Sequence, residues 1–175
     1  MSLPLALESL DLSAPFDRYR TPVRSEWIDL NGHMNVGYYA IAFDLATDVF
    51  CRHLGVNEDY IARGFGMIFV LETHITYLHE LLEGEPITIT CQILDSDGKR
   101  MHLFNTMRHA EHGFLTATIE VMLVHVSTDA RKSAPFPPFI QERIDQVAQA
   151  HKVLPWPEQA GRKVGIRRPA QPAST

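Results

Sequence analysis

Cysteine is scarce in this chain, and no stretch of it is apolar for long. Two cysteines in 175 residues, Cys51 and Cys91, make no disulfide framework. Both sit in apolar patterns and read as buried, reduced thiols. No run approaches the ~20 apolar residues of a membrane span. Residues 1–12 lack the basic start and long apolar stretch of a secretion signal, so a cytoplasmic location is expected. Positive charge is in short supply too. Sixteen Lys and Arg against 21 Asp and Glu leave a net charge of −5, which argues against nucleic acid as a partner. There is no Gly-x-Ser-x-Gly elbow, and neither cysteine has a histidine or glycine context that would make it a nucleophile. The nine histidines form no His-Glu-x-x-His helix. His74 and His79 stand five apart in a strand pattern, hence on opposite faces, and His109 and His112 flank a turn without paired cysteines. No metal is expected.

The remaining composition, 45% hydrophobic and 21% charged, is that of one globular domain with a real core. No repeat of 20–50 residues is apparent. Thr21 to Ile28 suits a first strand after a lead-in over residues 1–20. Val36, Tyr39, Ala40, Phe43, Ala46, Phe50 and Leu54 recur at three- and four-residue steps, a broad helical stripe with Asp44, Asp48 and Arg52 opposite. Asn35 fits its N-cap and Gly55 its stop. Strand patterns follow at Met67–Leu78, Pro86–Leu94, Met101–His109 and Phe114–Val126, with turn signals that imply hairpins. The main domain therefore spans residues 21–134. A short helix with Ile140, Ile144, Val147 and Ala148 apolar occupies residues 135–154. The tail over residues 155–175 carries Arg162, Lys163, Arg167 and Arg168 against one acid, Glu158, and reads as mobile unless a neighbouring subunit holds it. The class is α+β. A single helix lying across a curved antiparallel sheet leaves an outer face and a sheet edge uncovered, which a homodimer continuing the sheet would protect.

The polar stretch Asp29-Leu30-Asn31-Gly32-His33-Met34-Asn35 is poor material for a core. It gathers an acid, two carboxamides and an imidazole in front of a helix whose first N–H groups are unpaired and lie at the positive end of its dipole. Gly32 permits a sharp turn. Each residue has a plain reading beside the chemical one: Asp29 as a turn cap, His33 and Asn31 as loop stitching, Asn35 as a helix cap.

Trp27 to Asn35 with Tyr38-Tyr39, and the later Glu72-Thr73-His74-Ile75-Thr76-Tyr77, in this element order, resemble the hotdog-fold thioesterases, nearest the 4-hydroxybenzoyl-CoA thioesterase-like group. Many relatives enter the helix through a doubled Asn; here Val36 stands in the second place. The resemblance implies hydrolysis of an acyl-CoA thioester, with CoA part of the substrate and no other cofactor. Asp29 would be the base or nucleophile, Asn31 and His33 its supports, and the Val36 N–H the oxyanion donor. Asn35, Tyr39 and Glu72 are expected near the substrate, with Asp44 and Asp48 as further carboxylates on the long helix. Lys99 and Arg100, with Arg131 and Lys132, would meet CoA phosphates. Trp27, Tyr38, Tyr39 and Phe69 would make an aromatic pocket, which with Glu72 would suit a quaternary-ammonium acyl group; aromatic and medium-chain groups stay open. A dimer or tetramer is implied. The rivals are a non-catalytic acyl-CoA sensor and an enoyl-CoA hydratase.

Overall fold

Helix α1 (Val36–Leu54) begins and ends where its sequence supplies caps. The Asn35 side chain accepts the Gly37 N–H, and Gly55 adopts the left-handed conformation that terminates it. The computed structural model describes residues 7–166, and α1 lies across one face of its single five-stranded antiparallel sheet. The strands are β1 (Phe16–Pro22), β2 (Met67–Tyr77), β3 (Pro86–Ser96), β4 (Arg100–His109) and β5 (Leu115–Val126), in the order β1-β3-β4-β5-β2. Tyr39, Ala42, Phe43, Ala46, Phe50 and Leu54 are buried against the inward residues Ile87, Ile89, Cys91, Leu103, Met107, Ala117 and Ile119. Burying a phenylalanine such as Phe43 or Phe50 contributes roughly 2–3 kcal/mol. The stripe is narrower than its periodicity predicted, since Val36 and Ala40 face outward. Both cysteines are free and buried, and burial pushes the Cys51 thiol up to about 12.

The first strand lies earlier than the sequence pattern placed it. Residues 16–22 pair with β3, while the segment expected to be extended holds a 3₁₀ turn at Ser25–Trp27 that buries Trp27. Strand β1 is an edge whose exposed Asp17, Arg18 and Arg20 break the apolar alternation. A short helix, α2 (Glu58–Ala62), was also not expected; Asn57 caps it.

Successive hairpins join β3, β4 and β5 as expected, but β2 does not pair with β3. It crosses to the far edge and pairs with β5. The connecting residues 78–85 run under the entrance to α1, where Met34 donates its N–H to the Leu81 carbonyl (2.8 Å) and Leu81 is fully buried. Burial of Leu81 and these backbone bonds stabilise a connection that no local pattern encodes.

Helix α3 (Pro138–His151) adds Ile140, Ile144 and Val147 to the same core. The chain then turns back over the outer face of the sheet. Trp156 stands edge-on to His102 at 6.2 Å, and the Gly161 N–H donates to Glu120 at 2.7 Å. The expected mobility of the tail is thus corrected for its first part: its own sheet, not a neighbour, holds it. Arg167 and Arg168 lie outside the described residues.

Candidate active site

The polar stretch folds into a closed turn on its own hydrogen bonds. The Asp29 N–H donates to the His33 carbonyl (3.1 Å), and the Gly32 N–H returns to the Asp29 carbonyl (3.0 Å). Ile28 and Met34 bridge its base, and Gly32, at φ +83°, makes the reversal. The same geometry fixes the Asp29 carboxylate. Oδ1 accepts the Asn31 N–H at 2.8 Å and Oδ2 accepts the Asn35 side-chain amide at 3.1 Å. These donors hold the carboxyl below its ordinary value of 3.8, the Asn31 N–H most, then the Asn35 amide, with a smaller contribution from the charge of His33. Asp29 is only half-buried, so its carboxylate is open to solvent.

Asn35 does two jobs at once. Its Oδ1 takes the Gly37 N–H (3.0 Å) while its amide holds Asp29, so helix cap and carboxylate share one side chain. The Tyr38 N–H turns back to the Asn35 carbonyl (2.9 Å). Among the described residues no acceptor is found for the Val36 N–H, an amide at the positive end of a 19-residue helix and next in the chain to Asn35, which holds Asp29. A carboxylate and a free helical N–H on one short turn are the two polar elements that attack on a carbonyl needs.

The structure therefore brings together Asp29, His33, Asn35 and Val36. Asn31 joins through its backbone, and its side chain is exposed. Tyr39 is buried beneath the turn, with its hydroxyl donating to the His79 carbonyl at 3.3 Å. Trp27 stacks on Tyr38 at 6.0 Å. Phe69 is not part of this group: it sits eight residues up β2 from Tyr77, on the far half of the strand. Glu72 pairs opposite Met122 on the outer face, near His74, His102 and Glu120. Lys99 and Arg100 lie at the opposite end of the sheet, where Arg100 forms a fork with Asp97 at 2.9 and 2.6 Å. Within this chain these four do not meet Asp29. Asp44 and Asp48 are exposed, and Asp48 pairs with Arg52 at 2.7 Å.

One neighbour of the site escaped the sequence reading. Tyr77 ends β2 beside the helix entrance, its hydroxyl donating to the Val36 carbonyl at 3.4 Å and its ring edge-on to Tyr39 at 5.3 Å. An aromatic at the close of a strand was the available signal. The sequence separation of 41 between Val36 and Tyr77 hid the contact.

Residues 23–144 match the Thioesterase-like superfamily. The chain belongs to that superfamily. This thioesterase is 37% identical over 155 residues to betainyl-CoA thioesterase of Pseudomonas aeruginosa, a match covering 89% of the chain and 98% of that protein. It is also 37% identical over 161 residues to the L-carnitine dehydrogenase/betainyl-CoA thioesterase of Rhizobium meliloti, covering 92% of the chain but 32% of that larger protein. Among solved structures, a Staphylococcus aureus hypothetical protein in complex with CoA aligns with a TM-score of 0.81 at 34% identity, over 89% of this chain and 99% of that one. A putative thioesterase of Pseudomonas putida aligns with a TM-score of 0.77 at 30% identity and the same coverage. The hotdog fold expected from the sequence is the fold observed.

Proposed function

We propose that the protein hydrolyses an acyl-CoA whose acyl group carries a quaternary ammonium, with Asp29 and the Val36 N–H as its working pair. The observation that carries this reading is the Asp29 carboxylate, held by Asn31 and Asn35 beside an unclaimed helical amide. Thioester hydrolysis as such is the superfamily's chemistry, and the acyl group follows the betainyl-CoA thioesterases that the chain resembles. Water adds to the thioester carbonyl as its proton passes to Asp29. The carbonyl oxygen becomes an oxyanion at the Val36 N–H, and collapse breaks the C–S bond to release CoA thiol and the free acid. Should Asp29 attack directly, a mixed anhydride forms, CoA leaves first and water then opens the anhydride. Single-turnover hydrolysis in isotopically labelled water detects an anhydride that water opens at the Asp29 carbonyl, because the acid then leaves with an enzyme oxygen and the label enters Asp29. Asn31 and Asn35 orient the carboxylate, and His33 closes the turn that carries it.

The site is completed by a second copy. Among the described residues strand β2 pairs on one side only, and Phe69, Val70 and Leu71 on it are exposed, as are Val36, Ile41 and Leu45 on the neighbouring helix. Antiparallel pairing of two β2 edges sets the far end of one sheet beside the near end of the other. The β3–β4 turn of the second copy then stands three strand spacings away, roughly 14 Å. On this reading Lys99 there meets CoA phosphates, and Lys99→Glu should raise KM for CoA esters while sparing kcat. The buried thiols fit a cytoplasmic setting.

Thiol release from a panel of acyl-CoAs tests the function. Asp29→Asn should lower kcat by ~10²-fold or more; release that survives within threefold removes Asp29 from the chemistry. Binding without thiol release would favour the sensor, and loss of enoyl absorbance the hydratase.

A further inference from the structure

Base and oxyanion donor leave the acyl end of the site without an assigned residue, and one aromatic side chain stands there. The Tyr77 hydroxyl is tied to the Val36 carbonyl (3.4 Å), so its ring flanks the first turn of α1, where the proposed hydrolysis seats the thioester carbonyl. Tyr39 braces that ring edge-on at 87° and is itself held by the His79 carbonyl. Tyr77 is nonetheless 45% exposed. It is anchored at its hydroxyl and at Tyr39, and part of its ring surface stays open. An aromatic face carries negative potential and attracts a cation within about 6 Å of its centre. The surrounding charge has the same sign. Asp29 is on the turn, and Glu80 and Glu85 lie close enough to Tyr39 that, after burial, their charges help push its phenol up to about 12. Arg24, the cation of the adjoining turn, lies over the Trp27 ring at 5.2 Å and pairs with Glu26 at 3.8 Å.

From these positions we infer that Tyr77 is a specificity-determining residue whose open ring surface receives the quaternary ammonium of the acyl group. The inference rests on the acyl-CoA reading above. In such an ester one methylene separates the cationic nitrogen from the carbonyl carbon. A carbonyl held at the Val36 N–H therefore sets the methyl groups of the cation against the ring beside it. A neutral group of the same shape gains the packing but not the electrostatic attraction.

The test compares kcat/KM for betainyl-CoA and for tert-butylacetyl-CoA, its neutral carbon isostere. Wild type should favour the cation about tenfold. Tyr77→Phe keeps the ring and should keep the ratio. Tyr77→Leu should bring the ratio close to one while the neutral ester is still hydrolysed within a few-fold of wild type. Glu80→Gln should lower the ratio two- to threefold, less at high salt. The inference is overturned if Tyr77→Leu retains the ratio, if it loses both esters equally, or if wild type shows no preference while thiol release still depends on Asp29. Hydrolysis of neither ester, nor of any other in the panel, would instead sink the thioesterase reading and this inference with it.

Discussion

The two ends of α1 are finished in opposite ways. At its C-terminus every pole of the helix is sealed. The Gly55 N–H closes on the Arg52 carbonyl (2.9 Å), and Val56 closes on Cys51 (2.9 Å). Arg143 reaches over from α3 to donate to the Leu54 carbonyl at 3.0 Å and the His53 carbonyl at 2.8 Å. A guanidinium at the negative end of the dipole is the stabilising choice, and a Cβ on Gly55 would strike Leu7 at 2.6 Å. At the N-terminus the cap satisfies Gly37 while, among the described residues, the Val36 N–H finds no acceptor, and the nearby acid is half-buried. A helix end that serves only stability is saturated with partners. One that serves chemistry keeps a donor in reserve, at some cost in stability.

Breaking each end should give opposite phenotypes. Asp29→Asn, the largest effect, should abolish most thiol release yet move Tm by no more than a degree or two, read by calorimetry beside activity. Arg143→Met should do the reverse, costing about 2 kcal/mol and roughly 5 °C in Tm, with kcat per folded enzyme unchanged. Asn35→Ala touches both functions of the open end. We expect about 1 kcal/mol of stability lost with the cap, together with roughly a tenfold fall in kcat from the loosened carboxylate; Asn35→Asp should restore the cap and not the rate.

Acid separates the two ends more gently. His53 packs at the sealed end with its Nε2 taking the Asp11 N–H (2.9 Å), and His151 accepts the Ile93 N–H (2.9 Å). Burial holds both imidazoles below the ordinary 6.5. The unfolded chain binds protons that the fold refuses, so stability should decline as pH falls below about 6.5. Asp29 is also shifted down, but by donors that favour its charged form: its carboxyl, held below 3.8, stays ionised through that range. Between pH 6 and 5 the loss of activity should therefore track the fraction unfolded, and initial rates on folded enzyme should stay flat.

Much of this was legible in the chain. The spacing of Tyr39, Phe43, Ala46, Phe50 and Leu54 announced α1, and alternation of Ile87, Ile89, Cys91 and Ile93 announced β3. Asn35 and Gly55 gave the helix ends, and Asp29 to Asn35 gave the carboxylate turn. The displaced β1 was not legible, because an edge strand carrying Asp17, Arg18 and Arg20 has no apolar rhythm. Nor was the crossing of β2 to pair with β5, since strand order depends on which face each connection covers rather than on any window of sequence. Glu72 read as a substrate residue because it adjoins Leu71 and Ile75; a bulge between Val70 and Glu72 turned it to the outer face.

By itself the sequence determined what depends on neighbours three or four positions apart. That includes the amphipathic helix, its caps, and a seven-residue turn that closes on its own amides and holds a carboxylate. Only tertiary structure decided that Tyr77 stands beside Val36, that Arg143 seals the far end of α1 from 89 residues away, and that β2, among the described residues, pairs on one side only. Those contacts exist because packing one helix onto one sheet overcomes the entropy of closing long loops, and that balance belongs to the whole chain rather than to any segment of it.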